Sequence, residues 1–193
     1  GLGITIPIVS IIMGFANLCG TGGGPLFSIC RGREDKKEAE LGMGNAFTLL
    51  IALGVAVTAF FLVLKEPILY LFGASANTFP YADDYMTIYL LGTLFVMVSL
   101  GLNTFISAQG RSGTAMLSVA IGAVLNIVLD PVFIFVFDMG VKGAALATVI
   151  SQAISAVWVL LFLTGKRALI RLRLSCLRPE GHRVRRIISL GFS

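Results

Sequence analysis

The chain has 193 residues, of which 56% are hydrophobic and only 13% are charged. A soluble domain usually has about 25% charged residues, so this composition excludes a soluble globular domain, and it also excludes a disordered chain and a disulfide scaffold. The net charge is +5, but the basic residues are concentrated in short segments between apolar runs. That distribution is typical of a membrane protein and argues against a nucleic-acid partner.

Five stretches are long and apolar enough to cross a bilayer, since a membrane helix needs about 20 mostly apolar residues. The predicted helices span about residues 1–29, 42–64, 85–108, 113–137 and 144–164. Residues 1–165 are thus predicted to form an all-α, polytopic bundle of five transmembrane helices. A basic loop is predicted at 166–186, and residues 187–193 are predicted to start a further transmembrane helix. Because the sequence lacks an initial Met and ends inside this apolar run, we expect a piece of a longer protein.

The positions of Lys and Arg predict how the bundle is oriented. Thirteen of the 15 Lys and Arg residues fall in the alternate polar breaks 30–41, 109–112 and 166–186. The other two are Lys65 and Lys142. The positive-inside rule therefore predicts a multi-pass protein of the cytoplasmic membrane whose 166–186 loop is cytoplasmic. The same loop could instead contact anionic lipids, but its role in setting the topology is the favoured interpretation.

The strongest functional signal is the run Asn-Ile-Val-Leu-Asp-Pro at 126–131, in which Asp130 is the only charged residue of the fourth predicted helix. An Asp at the centre of a membrane helix costs about 2.5–3.5 kcal/mol on insertion scales and is rarely without a function. Asn126 lies on the same helical face, and Pro131 leaves the carbonyl of Ile127 without its helical donor. These oxygens suit Na⁺, or a proton held on the carboxyl group. The alternative is a structural proline kink whose Asp binds a neighbouring helix.

The fifth predicted helix follows after a short turn, so the two helices should be antiparallel neighbours. Asp130 and Thr148 lie about 10 Å and 6 Å from that turn at 1.5 Å per residue. We therefore expect Asp130 to approach Thr148 and Asn126 to approach Gln152. Thr148 could be an ion ligand or could bond its own backbone. Asn103, in the third predicted helix, could line a polar pathway or form an interhelical hydrogen bond.

Other common chemical motifs are missing from this sequence. His182 is its only His, and its three Cys residues are widely spaced, so no metal cluster, catalytic triad or cofactor site is expected and the chain is not predicted to be an enzyme. The Gly-rich segment 20–24 lacks the Lys of a phosphate-binding loop. We expect a bend or close helix packing there.

Four runs together resemble the multidrug and toxic compound extrusion (MATE) transporters, and the similarity covers essentially the whole chain. They lie at 81–85, 103–110, 126–131 and 140–152. Members of this family have twelve helices in two six-helix lobes. Matched to them, the chain resembles helices two to six of the amino-terminal lobe and the start of helix seven. The first helix and the second lobe would then be the missing remainder of the same transporter.

The resemblance implies an antiporter that exports organic cations or drugs by alternating access, driven by Na⁺ or H⁺. The family's coupling site corresponds to Asp130, Asn126 and Thr148, and the predicted substrate pathway includes Asn103 and Gln152. The expected partners are the lipid bilayer and a small organic cation, with Na⁺ or H⁺ as coupling ion and no cofactor. The alternatives are a lipid-linked oligosaccharide flippase of the same superfold, a membrane-embedded enzyme and a non-transporting membrane segment. A flippase would need basic residues facing its central cavity.

Overall fold

The computed structural model describes residues 5–173, 176–177 and 179–191, and this part of the chain contains helices and no strand. Parts of three predicted segments lie outside the described residues: 1–4 of the first helix, 174–175 and 178 of the loop, and 192–193 of the last helix. The helices are α1 (Ile6–Gly32), α2 (Lys36–Leu71), α3 (Phe79–Leu91), α4 (Thr93–Ala108), α5 (Ser112–Pro131), a π-helical turn (Val132–Val136), α6 (Gly140–Thr164) and α7 (Gly181–Gly191).

The predicted all-α membrane bundle is confirmed. Within the described residues, α1, α2, α6 and the combination of α5 with its π-helical turn are each long and apolar enough to cross a membrane. The pair formed by α3 and α4 is a fifth such span, bent by 53°. The helix bounds differ from the predicted ones, because hydropathy marks the apolar part of a helix and not its ends.

The third predicted span, 85–108, consists of the end of α3 and the whole of α4, which meet at the 53° bend. The break falls at Gly92, where a Cβ atom would overlap the side chain of Val149 on α6. Glycine is a poor helix former, and here the missing side chain lets α6 approach the backbone at the bend. The first of the two helices begins at Phe79, earlier than predicted, after Thr78.

The second predicted span, 42–64, is the central part of the longer helix α2. The helix begins at Lys36 because the Asp35 carboxylate accepts a hydrogen bond from the Glu38 backbone N–H at 3.1 Å, which caps the first turn. Its last turns extend past Pro67 to Leu71. The charged residues of α2 lie before and after the apolar stretch 42–64, so they can stay outside the hydrocarbon region while the helix continues through them.

The fourth predicted span, 113–137, changes its hydrogen-bond pattern at Pro131. This residue has no N–H, so it cannot continue the regular ladder. The following turn, Val132–Val136, is π-helical, and the Phe137 N–H donates to the Val132 carbonyl at 3.0 Å. Single π-helical turns are frequent at functional sites, and this one begins two residues after Asp130.

Contacts between the polar breaks group them into two ends of the bundle, alternating as predicted. At one end, here called the distal end, Lys65 pairs with Asp83 at 2.7 Å and Lys142 with Asp84 at 3.3 Å. At the opposite end, here called the basic end, the Arg31 side chain donates to the Ala108 carbonyl at 2.6 Å. The basic end also carries residues 166–173.

The predicted loop 166–186 packs on the basic end, and the prediction that it extends to residue 186 was wrong. Its apolar side chains Ala168, Ile170 and Leu172 are buried, and α7 already begins at Gly181. α7 can form within the basic segment because it buries Ile187 on one face, while its charged side chains extend to the surface.

The Gly-rich segment 20–24 is a site of close packing within the continuous helix α1. A Cβ atom on Gly22 would overlap the backbone carbonyl of Ile187 in α7, and one on Gly23 would lie 2.5 Å from the Phe105 ring of α4. These glycines let α4 and α7 approach α1 at the basic end.

Candidate cation site

Asp130 and Asn126 lie one helical turn apart on α5, just before the π-helical turn. The Asn126 side-chain nitrogen Nδ2 is 3.3 Å from Asp130 Oδ1. Both residues are half-buried. The four-residue spacing brings a carboxylate and an amide together on one face, as the sequence predicted.

Thr148 brings a hydroxyl group from α6 to the same place. The Asn126 Nδ2 atom lies 3.4 Å from Thr148 Oγ1, and the Thr148 hydroxyl donates to the Ala144 carbonyl at 2.9 Å. Because the hydroxyl proton is used within α6, the oxygen faces Asn126 as an acceptor. Both interpretations of Thr148 thus apply, since a backbone-bonded hydroxyl can still supply an oxygen ligand. Asp130 and Thr148 are joined through Asn126.

Tyr85, on α3, is a member of this cluster that the sequence did not single out. Its hydroxyl group lies close to that of Thr148 and on the side of the cluster that carries Asp130. The position could have been suspected from the run 81–85, because its aromatic residue ends a polar segment at the distal end. Three helices therefore converge on the site.

The two residues predicted for the substrate pathway lie away from this cluster. The Gln152 Oε1 atom accepts a hydrogen bond from Ser99 at 2.7 Å, and the Asn103 Oδ1 atom accepts one from Ser118 at 2.9 Å. The expected approach of Asn126 to Gln152 gives no hydrogen bond among the described residues, because Gln152 is oriented towards α4. Asn103 forms the interhelical bond that was its alternative interpretation.

A small cavity of about 40 Å³ lies between α4, α5 and α6, and Gln152 borders it whereas Asn103 does not. Ser99, Ser118, Gln152 and Ser155 line it, and the Ser155 hydroxyl donates to the Ser118 carbonyl at 3.0 Å. The small residue Gly122 completes its wall. Polar groups therefore continue from the Asp130 cluster towards the middle of the bundle.

The π-helical turn is held directly against α6. A Cβ atom on Gly143 would lie 2.7 Å from both the carbonyl carbon and the carbonyl oxygen of Phe133. Only glycine allows this approach of backbone to backbone. The chain after Asp130 is thus in contact with α6, the helix that carries Thr148. The two helices of the site are therefore joined by this backbone contact and by the contact between Asn126 and Thr148.

The charge of the cluster fits a monovalent cation. Among the described residues, Asp130 forms no ion pair within 4.0 Å, and no group of three His, Cys, Asp or Glu side chains could hold a metal ion. One carboxylate with neutral amide and hydroxyl oxygens can bind one positive charge, whereas polyvalent metal sites in proteins use more acidic or nitrogen and sulfur ligands. The arrangement suits Na⁺, or a proton on Asp130.

The chain matches the MatE family model over residues 1–132. It is 31% identical over 191 residues to the multidrug export protein MepA of Staphylococcus saprophyticus, and 28% identical over 190 residues to MepA of Staphylococcus aureus. These alignments cover 99% and 98% of this chain but only 42% of each relative. The chain therefore spans less than half the length of these proteins.

Solved structures give the same result for the fold. An inward-facing multidrug resistance MATE family transporter of the MOP superfamily superimposes with a TM-score of 0.93 at 26% identity, covering 98% of this chain and 43% of that one. A MOP superfamily transporter from Pyrococcus furiosus superimposes with a TM-score of 0.92 at 27% identity, covering 99% and 42%. The described helices thus have the arrangement of part of such a transporter.

Proposed function

This chain belongs to the MatE family of multidrug efflux transporters, and on that basis we propose that the full-length transporter exports organic cations or drugs in exchange for Na⁺ or H⁺. The observation that carries the proposal is the contact of Asn126 with both Asp130 and Thr148. It places two neutral oxygen-bearing side chains beside one carboxylate that has no ion pair among the described residues. Exchange across the cytoplasmic membrane requires a site of this kind, whose charge changes with the cation.

In this mechanism the cation enters from the distal end, which we take to be the outer face. Asp130 supplies the negative charge, and Thr148 supplies a neutral oxygen. The Asn126 amide presents its NH₂ group to both partners in the structure. To ligate Na⁺ it must rotate so that its Oδ1 atom faces the ion. If the coupling ion is H⁺, Asp130 takes up the proton and the Asn126 contacts weaken.

Either event changes the contact between α5 and α6. Neutralising Asp130 removes the charge that attracts the Asn126 amide, so the link through Asn126 to Thr148 loosens. The π-helical turn transmits the change because Gly143 holds it against α6. Small shifts of this kind become conformational transitions when packed helices have two alternative arrangements.

The expected substrates follow from the sign of the charge. A negative site attracts positively charged molecules, and its neutralisation releases them. Asn103 and Gln152 are proposed to supply polar contacts along the substrate pathway. A flippase for a pyrophosphate-linked substrate would need basic groups within the membrane, whereas in the described residues the Lys and Arg side chains lie at the ends of the bundle.

The proposal is tested by export of a fluorescent organic cation from proteoliposomes that contain the full-length transporter and carry an imposed Na⁺ or H⁺ gradient. Asp130→Asn should abolish the gradient-driven component. Asp138→Asn is the matched control, because Asp138 is exposed at the distal end and Asn tolerates its positive φ of 52°. Unchanged gradient-driven export by Asp130→Asn would overturn the proposal.

A further inference from the structure

A groove of about 500 Å³ lies between α5 and α6 at the basic end. Its polar rim carries Arg111, which precedes α5, and Lys166 and Arg167, which follow α6. All three side chains are exposed. The groove is separate from the cation site, which lies at the other end of α5.

The three basic side chains have no carboxylate partner among the described residues. The ion pairs at the basic end are formed by other residues, such as Arg183 with Glu38 at 2.5 Å. Arg111 instead lies over the ring of Phe162, with its guanidinium carbon 5.9 Å from the ring centroid, a cation–π contact that fixes the charge at the rim. Three positive charges thus lie around a groove to which the described residues contribute no carboxylate.

The walls of the groove below this rim are apolar. Leu117 on α5 and Leu161 on α6 line it and are 48% and 65% exposed. Both lie within helices that are long and apolar enough to cross a membrane. The groove therefore runs from charged groups at the end of the bundle along the apolar part of two helices.

Trp158, the only Trp in the sequence, also lines the groove. Its indole N–H is buried and has no hydrogen-bond partner among the described residues. Tryptophan is enriched where the headgroups of a bilayer meet the hydrocarbon region. A Trp in the wall of the groove is thus typical of a helix end at the headgroup level of a bilayer.

We propose that the groove binds an anionic glycerophospholipid of the leaflet at the basic end. Its phosphate lies among Arg111, Lys166 and Arg167, and an acyl chain lies along Leu117 and Leu161. Basic pockets between membrane helices bind lipid headgroups in this way. Free phosphate would leave the apolar walls uncovered, and a neutral lipid would leave the charges unpaired. An anionic lipid matches both surfaces at once.

The test uses Trp158 fluorescence in the full-length transporter, with any tryptophans outside this chain replaced by Phe. The protein is reconstituted in phosphatidylcholine vesicles containing a rising fraction of brominated phosphatidylglycerol or brominated phosphatidylcholine. Bromine quenches only nearby tryptophan. We expect the anionic lipid to reach half-maximal quenching at a fraction at least fivefold lower, because a basic residue near the surface contributes about fivefold to anionic-lipid affinity.

Two matched triple variants distinguish lipid binding in the groove from attraction by the overall positive charge of the basic end. Arg111→Gln/Lys166→Gln/Arg167→Gln should remove the preference for the anionic lipid. Arg33→Gln/Arg171→Gln/Arg185→Gln removes the same number of exposed charges outside the groove and should keep it. Equal quenching by both lipids in the parent protein would overturn the proposal, even if the groove variant failed to fold. Equal loss of preference in the two triple variants would also overturn it, since only diffuse charge would then be involved.

Discussion

The Asn126 side-chain nitrogen lies 3.4 Å from the Thr148 hydroxyl oxygen and joins α5 to α6 beside Asp130. This distance is longer than the 2.7–3.2 Å typical of N–H···O hydrogen bonds, as is the 3.3 Å separation from Asp130. The amide is thus held loosely between two acceptors. A cation bound at this cluster would replace these two long contacts, which connects occupancy of the site to the packing of α5 against α6.

Substitution of Thr148 tests whether its oxygen is a ligand. Thr148→Val keeps the shape of the side chain and removes the oxygen, so the affinity for the coupling cation should fall about five- to tenfold, the equivalent of about 1–1.4 kcal/mol for one neutral contact. Thr148→Ser keeps the oxygen and should change the affinity less than twofold. The measurement is the cation concentration that gives half-maximal export. Equal affinities in the two variants would show that Thr148 has only a packing role.

Tyr85→Phe tests the third helix of the site. The ring remains in place while the hydroxyl group beside Thr148 is lost. We expect a severalfold lower cation affinity and unchanged stability, because the site loses one polar neighbour and no packing. Tyr70→Phe, on an exposed ring at the end of α2, is the control. If Tyr85→Phe behaves like Tyr70→Phe in cation-dependent export, Tyr85 is not part of the site.

Gly143→Ala tests the contact between the π-helical turn and α6. The added Cβ atom must displace the Phe133 backbone, so we expect a loss of about 1–3 kcal/mol in stability and weaker cation binding at a site whose side chains are unchanged. Gly42→Ala is the matched control, since a Cβ atom there meets nothing within 4 Å. The midpoint of thermal unfolding and the cation affinity report the two effects. If Gly143→Ala had the cation affinity of the wild type, the contact between the π-helical turn and α6 would have no part in cation binding.

Two buried amides hold the segment after α6 to the basic end, and each serves as the control for the other. The Gln109 Oε1 atom accepts from the Leu169 N–H at 2.9 Å, and the Asn45 Oδ1 atom accepts from the Glu180 N–H at 2.7 Å. Gln109→Ala should increase hydrogen exchange of the Leu169 amide while that of Glu180 stays protected. Asn45→Ala should do the reverse.

Gln109→Ala should also cost about 2–4 kcal/mol, because three backbone groups of Leu169 and Ile170 lose their partner. Asn45→Ala should cost about 1–3 kcal/mol, because the Glu180 N–H loses its partner. Hydrogen exchange measured by mass spectrometry on the full-length transporter separates the two peptides. If both variants released both peptides together, the segment would unfold as one unit and the two anchors would not be independent.

The sequence predicted that Asn126, Asp130 and Thr148 lie together because the signals for this are local and costly. An Asp inside an apolar helix, with Asn one turn earlier and Pro next to it, has few structural explanations. Thr148 could be added because a short turn fixes the pairing of two antiparallel helices. Gln152 was misplaced for the same reason: depth along a helix gives its level but not the direction in which its side chain points.

Other features depend on contacts between distant parts of the chain. The bend at Gly92 reflects the position of Val149 in α6, which hydropathy does not report. The burial of Ile170 and the start of α7 at Gly181 depend on how the segment after α6 packs on the basic end. The many Lys and Arg residues of 166–186 predicted a loop, and the apolar residues between them were too few to predict a membrane span.

Cation binding to the purified full-length transporter, measured by titration with Na⁺ and by proton uptake on acidification, is the most direct test of the Asp130 site. We expect Asp130→Asn to abolish binding of the coupling ion, whereas Asp138→Asn should leave the affinity and stoichiometry of binding unchanged. Equal cation binding by both variants would contradict it.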